Sequence, residues 1–147
     1  MAGARLEGSV QLSVIGQLLG ASQLRASRVH CSWKLSSGGA WTAVNGTTSG
    51  DTQCDEPADS TAFVFQHPVD VVFQGEELRG WPRFEIEIRL IDAHGRSDLL
   101  GYSIAHVPTT PGQHTLSCPV WRPHGSLSGR TASPWYMGGR SRLPLWD

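Results

Sequence analysis

Phe84, Ile86, Ile88 and Leu90 alternate with Arg83, Glu85, Glu87 and Arg89. A period of two puts all four apolar side chains on one face of an extended strand, where a helix would need spacings of three and four. Trp81-Pro82 opens this run, and Asp92-Ala93-His94-Gly95 supplies a turn after it. Asp bonds its own backbone in such turns, and Gly accepts a positive φ. Leu100, Tyr102, Ile104 and His106 then alternate with Gly101, Ser103, Ala105 and Val107, until Pro108 and Pro111-Gly112 end the pattern. Residues 80–111 therefore read as an antiparallel pair with one dry face, taken as that of Leu100, Tyr102 and Ile104 on the second strand. A dry face requires a second layer to cover it.

The remaining segments supply that layer. Val10, Leu12 and Val14 alternate up to Gly16, and Val29, Cys31, Trp33 and Leu35 alternate with His30, Ser32 and Lys34. Short apolar runs follow at 40–44, 62–65, 69–73 and 115–120. Residues 17–26 hold Leu18, Leu19 and Leu24 between glycines and read as a connector with buried leucines. Residues 45–61 are the most polar stretch and read as a long surface loop. The expectation is an all-β antiparallel sandwich of seven or eight strands. Its limits are a loose lead-in over 1–9, the domain over 10–123 and an irregular tail over 124–147.

The 147 residues suit one domain with a core of its own. The formal net charge of −1, with Lys34 as the single lysine, does not favour broad phosphate binding. Cys31, Cys54 and Cys118 form no C-x-x-C pair, which points away from zinc ribbons and thioredoxin-like sites and toward reduced thiols in a cytosolic compartment. The N-terminus lacks a basic-then-apolar signal pattern, and no run approaches the ~18 apolar residues of a membrane helix.

Candidates for chemistry are few. Asp92 and Asp98 flank one turn and are the weak calcium candidates, but a calcium ion wants about six to eight oxygens, and Arg96 sits between them. None of the six histidines forms a zinc-binding pair. His106 shares a strand face with Tyr102 and Ile104 and reads as a core or half-buried histidine with a hydrogen-bond partner. There is no G-x-S-x-G, and Cys31 and Cys118 lie in strands, where buried thiols are inert. No enzyme is expected, and no cofactor or metal. Trp33, Trp41 and Trp81 fall on or beside strands, where core packing explains them. Trp121, Trp135 and Trp146 fall among Arg122, Arg130, Arg140 and Arg142. That mixture suits either a protein interface or a tail folded back on the sandwich.

Several fragments stand in order: Val14-Ile15-Gly16-Gln17, Cys31-Ser32-Trp33, His67-Pro68-Val69-Asp70, Gly80-Trp81-Pro82-Arg83, Gly101-Tyr102, His106-Val107-Pro108, Pro111-Gly112-Gln113-His114 and Cys118-Pro119-Val120-Trp121-Arg122-Pro123. Together they resemble the B9 domain family. The resemblance implies a divergent C2 sandwich without catalytic activity or calcium dependence. It implies a place in the cilium-base transition zone and basal body, among the cytoskeletal structures of cilium assembly. The implied partners are other B9 domain proteins and a tectonic-like membrane complex that restricts entry of membrane proteins. The rival expectation is a peripheral lipid-binding C2-like module, calcium-independent or weakly calcium-dependent. Gly80, Trp81, Pro82, His106, Pro108, Pro111, Gly112, His114, Trp121, Arg122 and Pro123 are the positions expected to matter, in folding or in contacts. The chain is expected to lack the family's C-terminal strands, leaving an open edge for the tail, a partner strand or aggregation to cover.

Overall fold

Inward-facing apolar side chains on alternate residues build two facing layers. The computed structural model describes residues 5–59, 62–122 and 139–146. Nine strands run through them: β1 (Arg5–Ser22), β2 (Val29–Ser36), β3 (Trp41–Gly46), β4 (Ser49–Asp51), β5 (Ala62–Glu77), β6 (Arg83–Ile91), β7 (Ser97–His106), β8 (His114–Val120) and β9 (Gly139–Trp146). One sheet has the order β3-β5-β1-β9-β8 and the other β4-β2-β6-β7. Every pairing is antiparallel. The antiparallel sandwich expected from the sequence is therefore the observed fold.

The core fills the space between the sheets. Val14, Leu18, Phe63, Phe65, Val69, Val71 and Phe73 come from one sheet, and Val29, Cys31, Trp33, Leu35, Phe84, Ile86 and Ile88 from the other. On β2 and β6 the buried set is the apolar half of each alternating run.

On β7 the dry face is the other one. Ile88 pairs with Gly101 and Arg89 with Leu99, so Leu100 has no partner and the register shifts there. An extra residue reverses the facing of everything after it. Leu100 is buried, and beyond it Gly101, Ser103, Ala105 and Val107 also point inward, while Tyr102, Ile104 and His106 point outward. Ser103 Oγ donates to the Pro119 carbonyl at 3.1 Å, which satisfies a hydroxyl that is 1% exposed.

Four other expectations are corrected. Residues 17–22 continue β1, and the runs at 62–65 and 69–73 join as β5. The two strands pair along most of their length, with register shifts between Arg5 and Val10 and between Leu18 and Gly20, the latter where Gln66 takes a φ of 47°. That bulge breaks the period in both segments. Within the polar stretch, Ser49–Asp51 forms β4 against β2. Residues 139–146, read as irregular and as missing the closing strand, form β9 between β1 and β8. Pro144 hid this strand. It pairs with Thr115 on β8 but has no partner on β1, whose register against β9 shifts between Gly16 and Gly20. A residue without an N–H is tolerated at such an irregularity.

Both flanks of the sandwich are stitched across the sheets. β3 belongs to one sheet and β4 to the other. On the opposite flank, Tyr102 and Trp121 exchange backbone hydrogen bonds of 2.7 and 2.8 Å, which ties the end of β8 to β7.

Candidate interaction surface

Gly80, Trp81 and Pro82 meet at one corner. Gly80 has a φ of 73°, and its carbonyl accepts the Gly38 N–H at 2.8 Å. The Trp81 indole N–H donates to the Val107 carbonyl at 2.7 Å, and the Val107 N–H donates to the Pro82 carbonyl at 3.2 Å. Trp81 also packs edge-on against Trp41, with ring centroids 5.1 Å apart. Pro82 is fully buried. The corner thus clamps the β2–β3 turn, the β5–β6 connection and the start of the β7–β8 loop.

The other singled-out positions spread along that loop and beyond it. His106 is exposed on the outward face of β7, which corrects the expectation of a core or half-buried ring. The bulge at Leu100 is the reason. Pro108 is half-buried, Pro111 and Gly112 are exposed, and a ring nitrogen of half-buried His114 lies 2.7 Å from the Thr110 carbonyl. Trp121 and Arg122 are exposed at the flank. Pro123, Arg130 and Trp135 lie outside the described residues.

The weak calcium candidates have other work. Asp92 Oδ1 accepts the His94 and Arg96 backbone N–H groups at 2.8 Å each, and Oδ2 accepts Arg96 Nε at 2.9 Å. The Arg96 backbone bond is the largest influence holding this carboxyl below the ordinary aspartate value; the His94 N–H and Arg96 side chain add to it. Asp98 sits on β7 opposite Leu90. Among the described residues, no three His, Cys, Asp or Glu side chains gather as metal ligands. Burial pushes the Cys31 thiol up to about 12 and raises that of Cys118 as well.

A groove of about 400 Å³ crosses the outward face of the four-stranded sheet. Register builds it in two rows. Ser32, Glu87, Tyr102 and Trp121 form one, and Lys34, Glu85 and Ile104 form the other; Asp51 and Ser49 of β4 extend the two rows beyond the groove. Ser32 Oγ donates to Asp51 Oδ1. The Tyr102 and Trp121 rings lie 5.5 Å apart at 39°. Trp121 and Ile104 are 46% and 40% exposed, so aromatic and aliphatic surface lies open to solvent beside charge. Of this set, only Trp121 was a candidate from sequence. The signal for the rest was the polar half of the alternating runs, which the search for a core set aside.

A family model described as "Ciliary basal body-associated, B9 protein" matches residues 12–145. This chain belongs to the B9 family. The match begins inside β1 and ends inside β9, so the strand that the sequence pattern concealed lies within the family's domain. The chain is 40% identical over 133 residues to B9 domain-containing protein 2 of Homo sapiens, covering 90% of this chain and 76% of that protein. The Drosophila melanogaster protein of the same name is 32% identical over 137 residues, covering 93% and 77%. B9 domain-containing protein 1 of Xenopus laevis is 28% identical over 131 residues, covering 88% and 66%. In fold, the chain is similar to the C2A domain of plant Extended Synaptotagmin 1, with a TM-score of 0.52 and 14% identity over 90% of this chain and 91% of that one. The family description associates B9 proteins with the ciliary basal body.

Proposed function

We propose that this chain is a non-catalytic structural component of the ciliary transition zone. It joins sibling B9 proteins and a tectonic-like membrane complex, and it supports cilium assembly and the barrier to membrane proteins. The family match over residues 12–145 carries this reading. Its support in the molecule is the open face on which exposed Trp121 lies beside Tyr102, since aromatic side chains are enriched at protein contacts.

The test is expression of the tagged chain in ciliated cells. Concentration at the cilium base and co-purification with sibling B9 proteins are expected. Diffuse cytoplasmic signal without any sibling would overturn the proposal. Sedimentation with anionic liposomes, with and without calcium, separates it from the lipid-binding alternative. The chain is expected in the supernatant in both cases, and pelleting in either, above all calcium-dependent pelleting, would favour a lipid-binding module.

A further inference from the structure

The outward side of β2, β6 and β7 holds hydrogen-bonding capacity that the described residues leave unused. Glu85 accepts both Arg83 N–H groups on Oε1, at 3.1 and 2.9 Å, and Glu87 accepts Arg89 on Oε2 at 2.7 Å. Among the described residues, Glu85 Oε2 and Glu87 Oε1 have no partner, although both acids line the groove. Lys34 stands directly opposite Glu85 and forms no ion pair with it. One register step from Glu87 stands Tyr102 and then the exposed Trp121, their ring centroids 5.5 Å apart. Two spare carboxylate oxygens beside two rings match a planar cation that carries several N–H donors. A guanidinium forks onto carboxylates and stacks on aromatic faces, whereas an ammonium is a hydrated point charge that does neither well.

We propose that this groove seats an arginine carried on an extended segment of a sibling B9 protein, with Ile104 contacting an apolar side chain next to it. This rests on the partnership proposed above and names the surface and chemistry that serve it. Two other occupants fit poorly. Anionic lipid headgroups would meet Glu85 and Glu87, with Lys34 the one cation among the lining residues. A second copy would meet its own charge pattern: along β6 the outward residues are Arg83, Glu85, Glu87 and Arg89, so a centred two-fold pairing sets like charge on like.

The test uses the full chain titrated with purified B9 domain-containing protein 1. Wild type is expected to bind. The double variant E85K/E87K and, separately, Trp121→Ala should each weaken binding by about tenfold or more, as losing an interfacial charge partner or aromatic anchor does. Asp70→Lys, on the outward face of the other sheet, should leave binding unchanged, and every variant should still unfold in one cooperative transition, losing only what exposed ion pairs and a half-exposed ring contribute. Blocking the sibling's arginines with cyclohexanedione should abolish binding, and acetylating its lysines should not. Unchanged affinity in the double variant overturns the proposal while leaving the partnership intact, as does sensitivity to lysine acetylation alone. Self-association of wild type that the same variants abolish would make a second copy the occupant and overturn it too. Failure of wild type to bind the sibling overturns the partnership, and this inference with it.

Discussion

Gly80→Ala tests whether the corner at residues 80–82 is a structural clamp. A Cβ built at Gly80 lies 2.5 Å from Gly38 Cα and 2.8 Å from Gly38 N. Those are backbone atoms, so no side-chain rotation relieves the contact. The φ of 73° alone costs an L-residue about 1 kcal/mol. Displacing the β2–β3 turn weakens the Gly38 N–H bond to Gly80, worth about 1 kcal/mol net. Forcing extra volume against packed neighbours, here with Trp41 on Trp81, adds about 1–3 kcal/mol. The expected loss is about 3–5 kcal/mol in all, a large part of the stability of an ordinary domain. Gly95→Ala is the control. Its φ is 76°, but nothing lies within 4 Å of the added Cβ, so about 1 kcal/mol of strain is the whole cost. Urea unfolding followed by tryptophan fluorescence measures both, provided the slope m is unchanged. Equal losses in the two variants would refute the clamp.

Trp81→Phe should cost about 1 kcal/mol more than Trp41→Phe in the same urea assay, because only Trp81 loses a bond, that to Val107. Iodoacetamide on the native chain should label exposed Cys54 quickly and spare Cys31, whose buried thiol holds its proton; intact mass reads this, and equal labelling rates would contradict it. Asp92→Asn should destabilise at neutral pH. The folded carboxyl titrates below the ordinary value of 3.8, so its contribution is present above that value and fades as pH falls through the folded one. Melting temperatures of wild type and variant should therefore converge in acid, and a gap independent of pH would count against the assignment.

The alternation on β2 and β6 was legible because those strands are regular and each buries one face. β7 misled because one unpaired residue, Leu100, turns the strand over, and nothing in a period-two pattern marks where a bulge will fall. β5 was read as two strands for the same reason, at Gln66 and Pro68. β9 was missed because Gly139 to Arg142 carry no apolar alternation and Pro144 cannot donate to a ladder; only the neighbouring strands show that its position needs no donor toward β1. The corner was legible as residue types, Gly and Pro and Trp, but not as contacts, since Gly38 and Val107 are distant in sequence. The groove needed register. Glu87, Tyr102 and Trp121 become neighbours only once β6, β7 and the end of β8 are aligned.

Sedimentation velocity of the full chain mixed in equal amounts with purified B9 domain-containing protein 1 tests most directly whether this sandwich is a docking module. A single faster boundary that contains both proteins is expected. Two independent boundaries, each at the position of the protein alone across the accessible concentrations, would contradict it.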